Sequence, residues 1–141
     1  MEFGELLRSF LLDLQRLFRL HMSYPALTLP QILLLTAIPD EGMDMTTLSQ
    51  SLGVDNSTMT RLVEGLLRKK LVVKERGTVD RRVTVVKLTD QGERLQWDLE
   101  ERIDAVGEAL YDTIPPIDRE EVKEILSTFH WTLSKYLLHR R

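Results

Sequence analysis

Positions Phe3, Leu7, Phe10, Leu14, Leu17 and His21 fall at alternating steps of four and three, which predicts a helix from about residue 2 to 22 with a coiled-coil seam. Leu6, Leu11, Leu12, Phe18 and Leu20 widen that stripe beyond what one neighbour within the chain covers, so the pattern calls for a partner subunit. Tyr24-Pro25 ends the helix, because the residue before proline is pushed out of helical geometry. Thr28 and Gln31 have capping-box spacing, with Leu29-Pro30 in the first turn of a short buried helix, "PQILLLTAI". That helix stops at the Pro39-Asp40-Glu41-Gly42 turn. "TTLSQSLGV" (46–54) reads as a helix capped by Thr46, burying Leu48 and Leu52 and closed by Gly53.

The next helix, "NSTMTRLVEGLLRKK" (56–70), follows almost at once. Its Met59, Leu62, Val63, Leu66 and Leu67 share one face, with Ser57, Arg61, Glu64 and Arg68 opposite. Two strands are expected at 71–75 and 83–88, joined by a charged tip. Thr89 then caps a long helix striped by Leu95, Leu99, Ile103, Val106 and Leu110, which Ile114-Pro115-Pro116 breaks. Asp118 with Glu121 is placed to cap the last helix, where Val122, Leu126, Phe129, Leu133 and Tyr136 repeat the four-three spacing. The predicted order is helix, helix, helix-turn-helix, hairpin, helix, helix. The fold class is mostly α with a small β-hairpin.

The length of 141 residues suits one domain with a real core, and no segment has the apolar length to cross a bilayer. Glu2 and Glu5 stand where a secretory signal carries positive charge. The absence of cysteine excludes disulfides, thiolate metal sites and thiol redox sensing. A cytoplasmic protein is expected. Charge sharpens the picture. Between residues 61 and 87, nine Lys or Arg face three acids, a local charge of +6 in a chain whose net charge is −3. An acidic body with one concentrated basic module is suited to a phosphate-bearing partner. Scattered solvated charges do not account for that imbalance.

The basic module carries its own chemistry. Two short helices joined by a glycine-containing turn form a helix-turn-helix candidate, and the second presents Ser57, Thr58, Thr60, Arg61, Arg68 and Lys69. Small hydroxyls let a helix lie close in a major groove, and arginine reaches guanine edges or phosphates. The helix runs into a two-stranded ribbon, making a winged helix whose tip holds Asp80, Arg81 and Arg82. Arginine is always charged and weakly hydrated, which suits insertion into a narrow minor groove. Asp80, two residues away, is placed to orient Arg82 before DNA arrives. Taken alone, the tip also fits an edge hairpin kept soluble by charge. Joined to the helix-turn-helix and the basic imbalance, it favours double-stranded DNA as partner.

With those residues in place, the chain resembles MarR-family transcriptional regulators over nearly its whole length. The pattern D-x-R-x5-L-T-x-x-G is matched by Asp80, Arg82, Leu88, Thr89 and Gly92. The resemblance implies a homodimer formed by interlocking terminal helices, residues 1–27 and 113–141, carrying Phe3, Leu7, Phe10, Leu14, Leu17, Leu126, Phe129 and Leu133. It implies a DNA-binding lobe at 28–92 and a long linking helix at 89–112, with helix 57–69 in the major groove and Arg82 in the minor groove. It further implies a repressor on a palindromic operator, released by a small aromatic or anionic effector. Two departures stand out: Lys70 occupies a position where the family usually has glycine, and Ser49 replaces a common alanine.

No metal or other cofactor is expected, because His21, His130 and His139 form no ligand-spaced set within a segment. Trp97, Tyr24 and Tyr111 read as packing residues. No nucleophile-base-acid set, phosphate-cradling glycine loop or HExxH motif is present, so catalysis is not expected. The alternative function is a winged-helix module that binds another protein. It requires a recognition face free of basic residues, which Arg61 and Arg68 contradict.

Overall fold

The computed structural model describes residues 1–139. Residues 140 and 141, part of the expected C-terminal dimerisation segment, lie outside the described residues. The chain divides into two compact units, residues 1–103 and 104–141.

In the first unit, helix α1 spans Phe3–His21 and buries none of its own residues. Met22, just past its end, is buried in the core. Helix α2 (Leu29–Ala37) starts with the expected capping box. The Gln31 N–H donates to Thr28 Oγ1 at 3.3 Å, and the Thr28 N–H donates to Gln31 Oε1 at 3.0 Å. At its other end Gln96 Nε2 donates to the carbonyls of Leu35 and Ile38, at 2.7 and 2.8 Å. Helix-end carbonyls have no partner within the helix, so this one amide satisfies two that the core would otherwise strand.

A two-residue strand, β1 (Met43–Asp44), precedes helix α3 (Met45–Leu52), and the sequence reading has no counterpart for it. Two residues are too few to show a strand alternation. The strand depends on Gly42, whose φ of +85° turns the chain and whose hydrogen lies where a Cβ would meet Val86 O at 2.9 Å.

The cap of α3 also differs from expectation. Asp44, not Thr46, accepts the Thr47 N–H and hydroxyl, both at 2.8 Å. Thr46 lies inside the first turn, where its side chain cannot reach back to an orphan donor. Asp44→Ala should therefore cost about 1 kcal/mol of stability, whereas Thr46→Ala should change it little. The Thr47 backbone bond holds the Asp44 carboxyl below its ordinary pKa. The Asp44 contribution is therefore full above about pH 4 and lost as pH falls through the lower folded value. Urea titrations across pH 3–7 should show a shallower acid limb for Asp44→Ala.

Helix α4 (Asn56–Arg68) is capped by Asp55, and the wing strands are β2 (Val72–Arg76) and β3 (Thr84–Leu88). The sheet order is β1-β3-β2, antiparallel throughout, with Val72 opposite Leu88 and Arg76 opposite Thr84. Each wing strand starts one residue later than expected: Lys70 and Leu71 form the turn before β2, and before β3 Val83 stays in the tip, its N–H donating to Asp80 O at 3.3 Å. Lys70 takes a left-handed φ of +60°, so the helix ends where the family's glycine would end it and the non-glycine residue bears the strain. Lys70→Gly should accordingly raise stability by about 0.5–1 kcal/mol, read as a higher denaturant midpoint at unchanged slope.

The core gathers Ile32, Leu34 and Leu35 from α2, Leu48 from α3, Met59, Val63 and Leu66 from α4, and Val72 and Val86 from the wing base. Leu95 and Leu99 join it from helix α5 (Asp90–Thr113). Ser49 is buried but not stranded, since its hydroxyl donates to the Met45 carbonyl at 3.0 Å.

In the second unit the end of α5 leads through a 3-10 turn, Pro116–Asp118, to helix α6 (Arg119–Leu138). The expected Asp118–Glu121 cap is not formed. Asp118 has helical dihedrals (φ −97°, ψ −9°) and makes no side-chain cap bond, because capping geometry needs an extended backbone there. Arg119 does related work instead, donating to the carbonyls of Ile114 at 2.9 Å and Asp112 at 3.1 Å. Val122, Ile125, Leu126, Trp131, Leu133, Tyr136 and Leu137 of α6 are each at least 41% exposed in the single chain.

Candidate nucleic-acid interface

All of the basic module lies in the first unit. At the start of α4, Asp55 Oδ1 accepts the Thr58 N–H at 2.7 Å and the Ser57 hydroxyl at 2.9 Å. These bonds, the Thr58 backbone bond first, hold the Asp55 carboxyl below its ordinary pKa and so keep it charged at the helix N-terminus. Arg61, Glu64 and Arg68 project from the exposed face, opposite buried Met59, Val63 and Leu66. Lys69 is exposed at the helix C-cap.

The short hydroxyls are less available than the sequence suggested. Ser57 is spoken for by Asp55, and Thr60, only part exposed, donates to the Asn56 carbonyl at 2.9 Å. Thr58 accepts a long 3.4 Å contact from Arg61 Nη2. Back-bonding of this kind leaves an oxygen to accept but commits the hydroxyl proton. The basic residues, not the hydroxyls, dominate the outer face.

The wing tip is tightly folded. The Gly77 N–H donates to Val83 O at 3.1 Å, and the tip doubles back so closely that a Cβ on Gly77 would overlap Asp80 O. Asp80 then grips Arg82 three times. Its Oδ1 accepts the Arg82 backbone N–H at 3.0 Å and Nε at 3.1 Å, and its Oδ2 accepts Nη2 at 3.1 Å. The Arg82 side-chain bonds, with the backbone bond second, depress the Asp80 carboxyl pKa, and the guanidinium is held more firmly protonated in return. The Arg82 side chain is nevertheless 91% exposed. An ion pair this open to water adds little to stability. Its effect is directional: a bidentate carboxylate fixes the plane of a guanidinium that would otherwise sample many rotamers. Arg81 is exposed beside it, and Val79 is fully exposed at the tip.

A cavity of about 510 Å³ is lined by Tyr24, Leu27, Lys69, Leu71, Gln91, Arg94, Leu95 and Asp98. Tyr24 thus lines a cavity and lies beneath the Arg102 guanidinium, 6.0 Å from its ring centre, more than the packing role expected of it. Trp97 is 66% exposed, with Nε1 donating to Glu101 at 2.8 Å, so it is not a packing residue within the chain. Tyr111 donates its hydroxyl to Glu120 at 2.9 Å.

The MarR family model matches residues 27–83, from the end of the Tyr24–Leu27 turn through the wing tip. The chain is 31% identical over 100 residues to the HTH-type transcriptional regulator MgrA of Staphylococcus aureus, covering 70% of this chain and 65% of that protein. The chain belongs to the MarR family.

Two solved structures extend the likeness in fold to almost the whole of this MarR-family chain. The PcaV transcriptional regulator from Streptomyces coelicolor, in complex with its natural ligand, matches with a TM-score of 0.71 at 24% identity, covering 92% of each chain. S. aureus MepR in its DNA complex matches with a TM-score of 0.73 at 19% identity, covering 94% of this chain and 98% of that one. The three-stranded winged helix and the long flanking helices are therefore MarR-type architecture. No helix among the described residues is long and apolar enough to cross a membrane.

Proposed function

We propose that this MarR-family chain is a cytoplasmic, homodimeric transcriptional regulator that binds double-stranded DNA sequence-specifically. It acts as a repressor by occupying a palindromic operator. Helix α4 lies in the major groove, with Arg61 and Arg68 reaching bases or phosphates, and Arg82 enters the adjacent minor groove with Arg81 and Lys69 on phosphates. The observation that carries this reading is the Asp80–Arg82 clamp, which aims an exposed guanidinium without contributing appreciably to the fold. MgrA's designation as a transcriptional regulator and the MepR–DNA complex support it.

Dimerisation through residues 1–27 and 113–141 is supported by apolar exposure. Phe3, Leu7, Phe10 and Leu14 on α1, and Leu126 and Leu133 on α6, are 39–61% exposed in the single chain. Leu17 and Phe129 are part buried on the same helices. Monomers rarely leave so much apolar surface in water. Release by a small aromatic or anionic effector is supported by the 510 Å³ cavity, whose size suits a small ligand and whose wall includes Lys69, Arg94 and Tyr24.

The test is selection of bound duplexes from random DNA by the purified protein. Enrichment of a two-fold palindrome with half-sites roughly 10 base pairs apart is the expected result. Enrichment of no sequence would overturn the operator reading.

A further inference from the structure

The helix-turn-helix and wing are covalently joined only through Lys69, Lys70 and Leu71, and the wing returns to the body only at Thr89. These segments meet at one side chain. Thr89 Oγ1 donates to the Lys70 carbonyl at 2.7 Å and accepts the Gly92 N–H at 3.0 Å. The Thr89 N–H donates to the Leu71 carbonyl at 3.0 Å. Gly92 makes the approach possible, since a Cβ there would overlap the Leu71 oxygen. Lys70, held at φ +60°, is the residue whose carbonyl Thr89 grips.

We infer that Thr89 is a positioning residue for DNA recognition: its hydroxyl sets the wing's attitude relative to α4 and thereby places Arg82. This rests on the DNA-binding reading above. The reason is leverage. A five-residue strand extends roughly 17 Å, so a tilt of about 10° at its base moves the tip by about 3 Å. The minor groove is only about 6 Å wide, so such a shift takes the guanidinium from the groove floor to its wall. The core clamps the wing base through Val72 and Val86 but does not reach the tip, where Val79, Arg81 and Arg82 are exposed. The Asp80 clamp fixes Arg82 within the tip, so orientation at the base governs where the whole tip sits relative to α4.

The experiment is a double-mutant cycle on the full-length protein, using the selected operator duplex and several salt concentrations. Thr89→Val keeps shape and removes the hydroxyl, Thr89→Ser restores it, and Arg82→Ala removes the group being placed. Thr89→Val should weaken operator binding by roughly ten-fold and lower the salt slope by up to about two, as if one phosphate-facing cation were lost from each protomer. Thr89→Ser should bind like wild type. In the Arg82→Ala background, Thr89→Val should have no further effect on binding. A Thr89→Val protein that is less heat-stable yet binds with wild-type salt slope, or whose effect adds fully to that of Arg82→Ala, would overturn the inference. Failure of the wild type itself to bind any duplex would instead sink the DNA-binding reading and this inference with it.

Discussion

Replacing Leu7 and Leu14 together with glutamate is expected to yield monomers that bind the operator roughly 10²- to 10⁴-fold more weakly, the factor by which linking two modest binding events exceeds one. Both residues lie on α1, which buries none of its own side chains in the single chain, and they are 42% and 39% exposed. A carboxylate in that stripe opposes association without entering the core around Leu34, Leu48 and Leu66. The helical content of residues 29–103 should accordingly persist. Sedimentation equilibrium gives the mass and circular dichroism the fold. A dimer that survives both substitutions would move the interface away from α1.

Arg82→Ala should weaken operator binding by roughly ten- to a hundred-fold and reduce the salt slope by about two, one for each protomer of the dimer. Thermal stability should stay unchanged, because the Asp80–Arg82 pair is open to water. Asp80→Ala should weaken binding less, since the guanidinium remains but is no longer held in plane by two oxygens. The order of these losses distinguishes an aimed arginine from a bare cation. If Asp80→Ala bound more tightly than wild type, removal of a like-charged neighbour of phosphate would be the dominant effect and the aiming role would be wrong.

The two results divide the molecule by kind of contact. On the proposed reading, loss of the dimer would remove one whole half-site, whereas loss of Arg82 would remove one contact from each. Both are separable from stability, which the core and the caps at Thr28, Asp44 and Asp55 supply.

Much of this was legible in the residues. Periodicity located the helices to within a residue or two, because an apolar stripe leaves a 3.6-residue repeat wherever the helix is long enough. The Thr28–Gln31 box and the Asp80–Arg82 pair were readable because their partners stand three and two residues apart, and local spacing is what a sequence displays directly. Local spacing also misled. Asp118 and Glu121 have box spacing, but the 3-10 turn imposed by Pro115-Pro116 leaves Asp118 in helical dihedrals and the cap unmade. Thr46 looked like a cap because it precedes a helical run, whereas Asp44 held that place from within strand β1.

By itself, then, the sequence determined the order of helices and strands, the acidic body with its basic module, and the Asp80–Arg82 pair at the wing tip, all of which follow from composition or from the spacing of near neighbours. Tertiary structure alone decided that Met43 and Asp44 form a third strand against Val85 and Val86, that Gln96 closes α2 from 58 and 61 residues away, and that Thr89 ties the start of α5 to Lys70, just past the end of α4 and 19 residues back. The physical reason is the same in each case. A backbone donor or acceptor at a helix end or strand edge must find a partner, but which one it finds depends on what the packed core brings near, and no spacing along the chain encodes that.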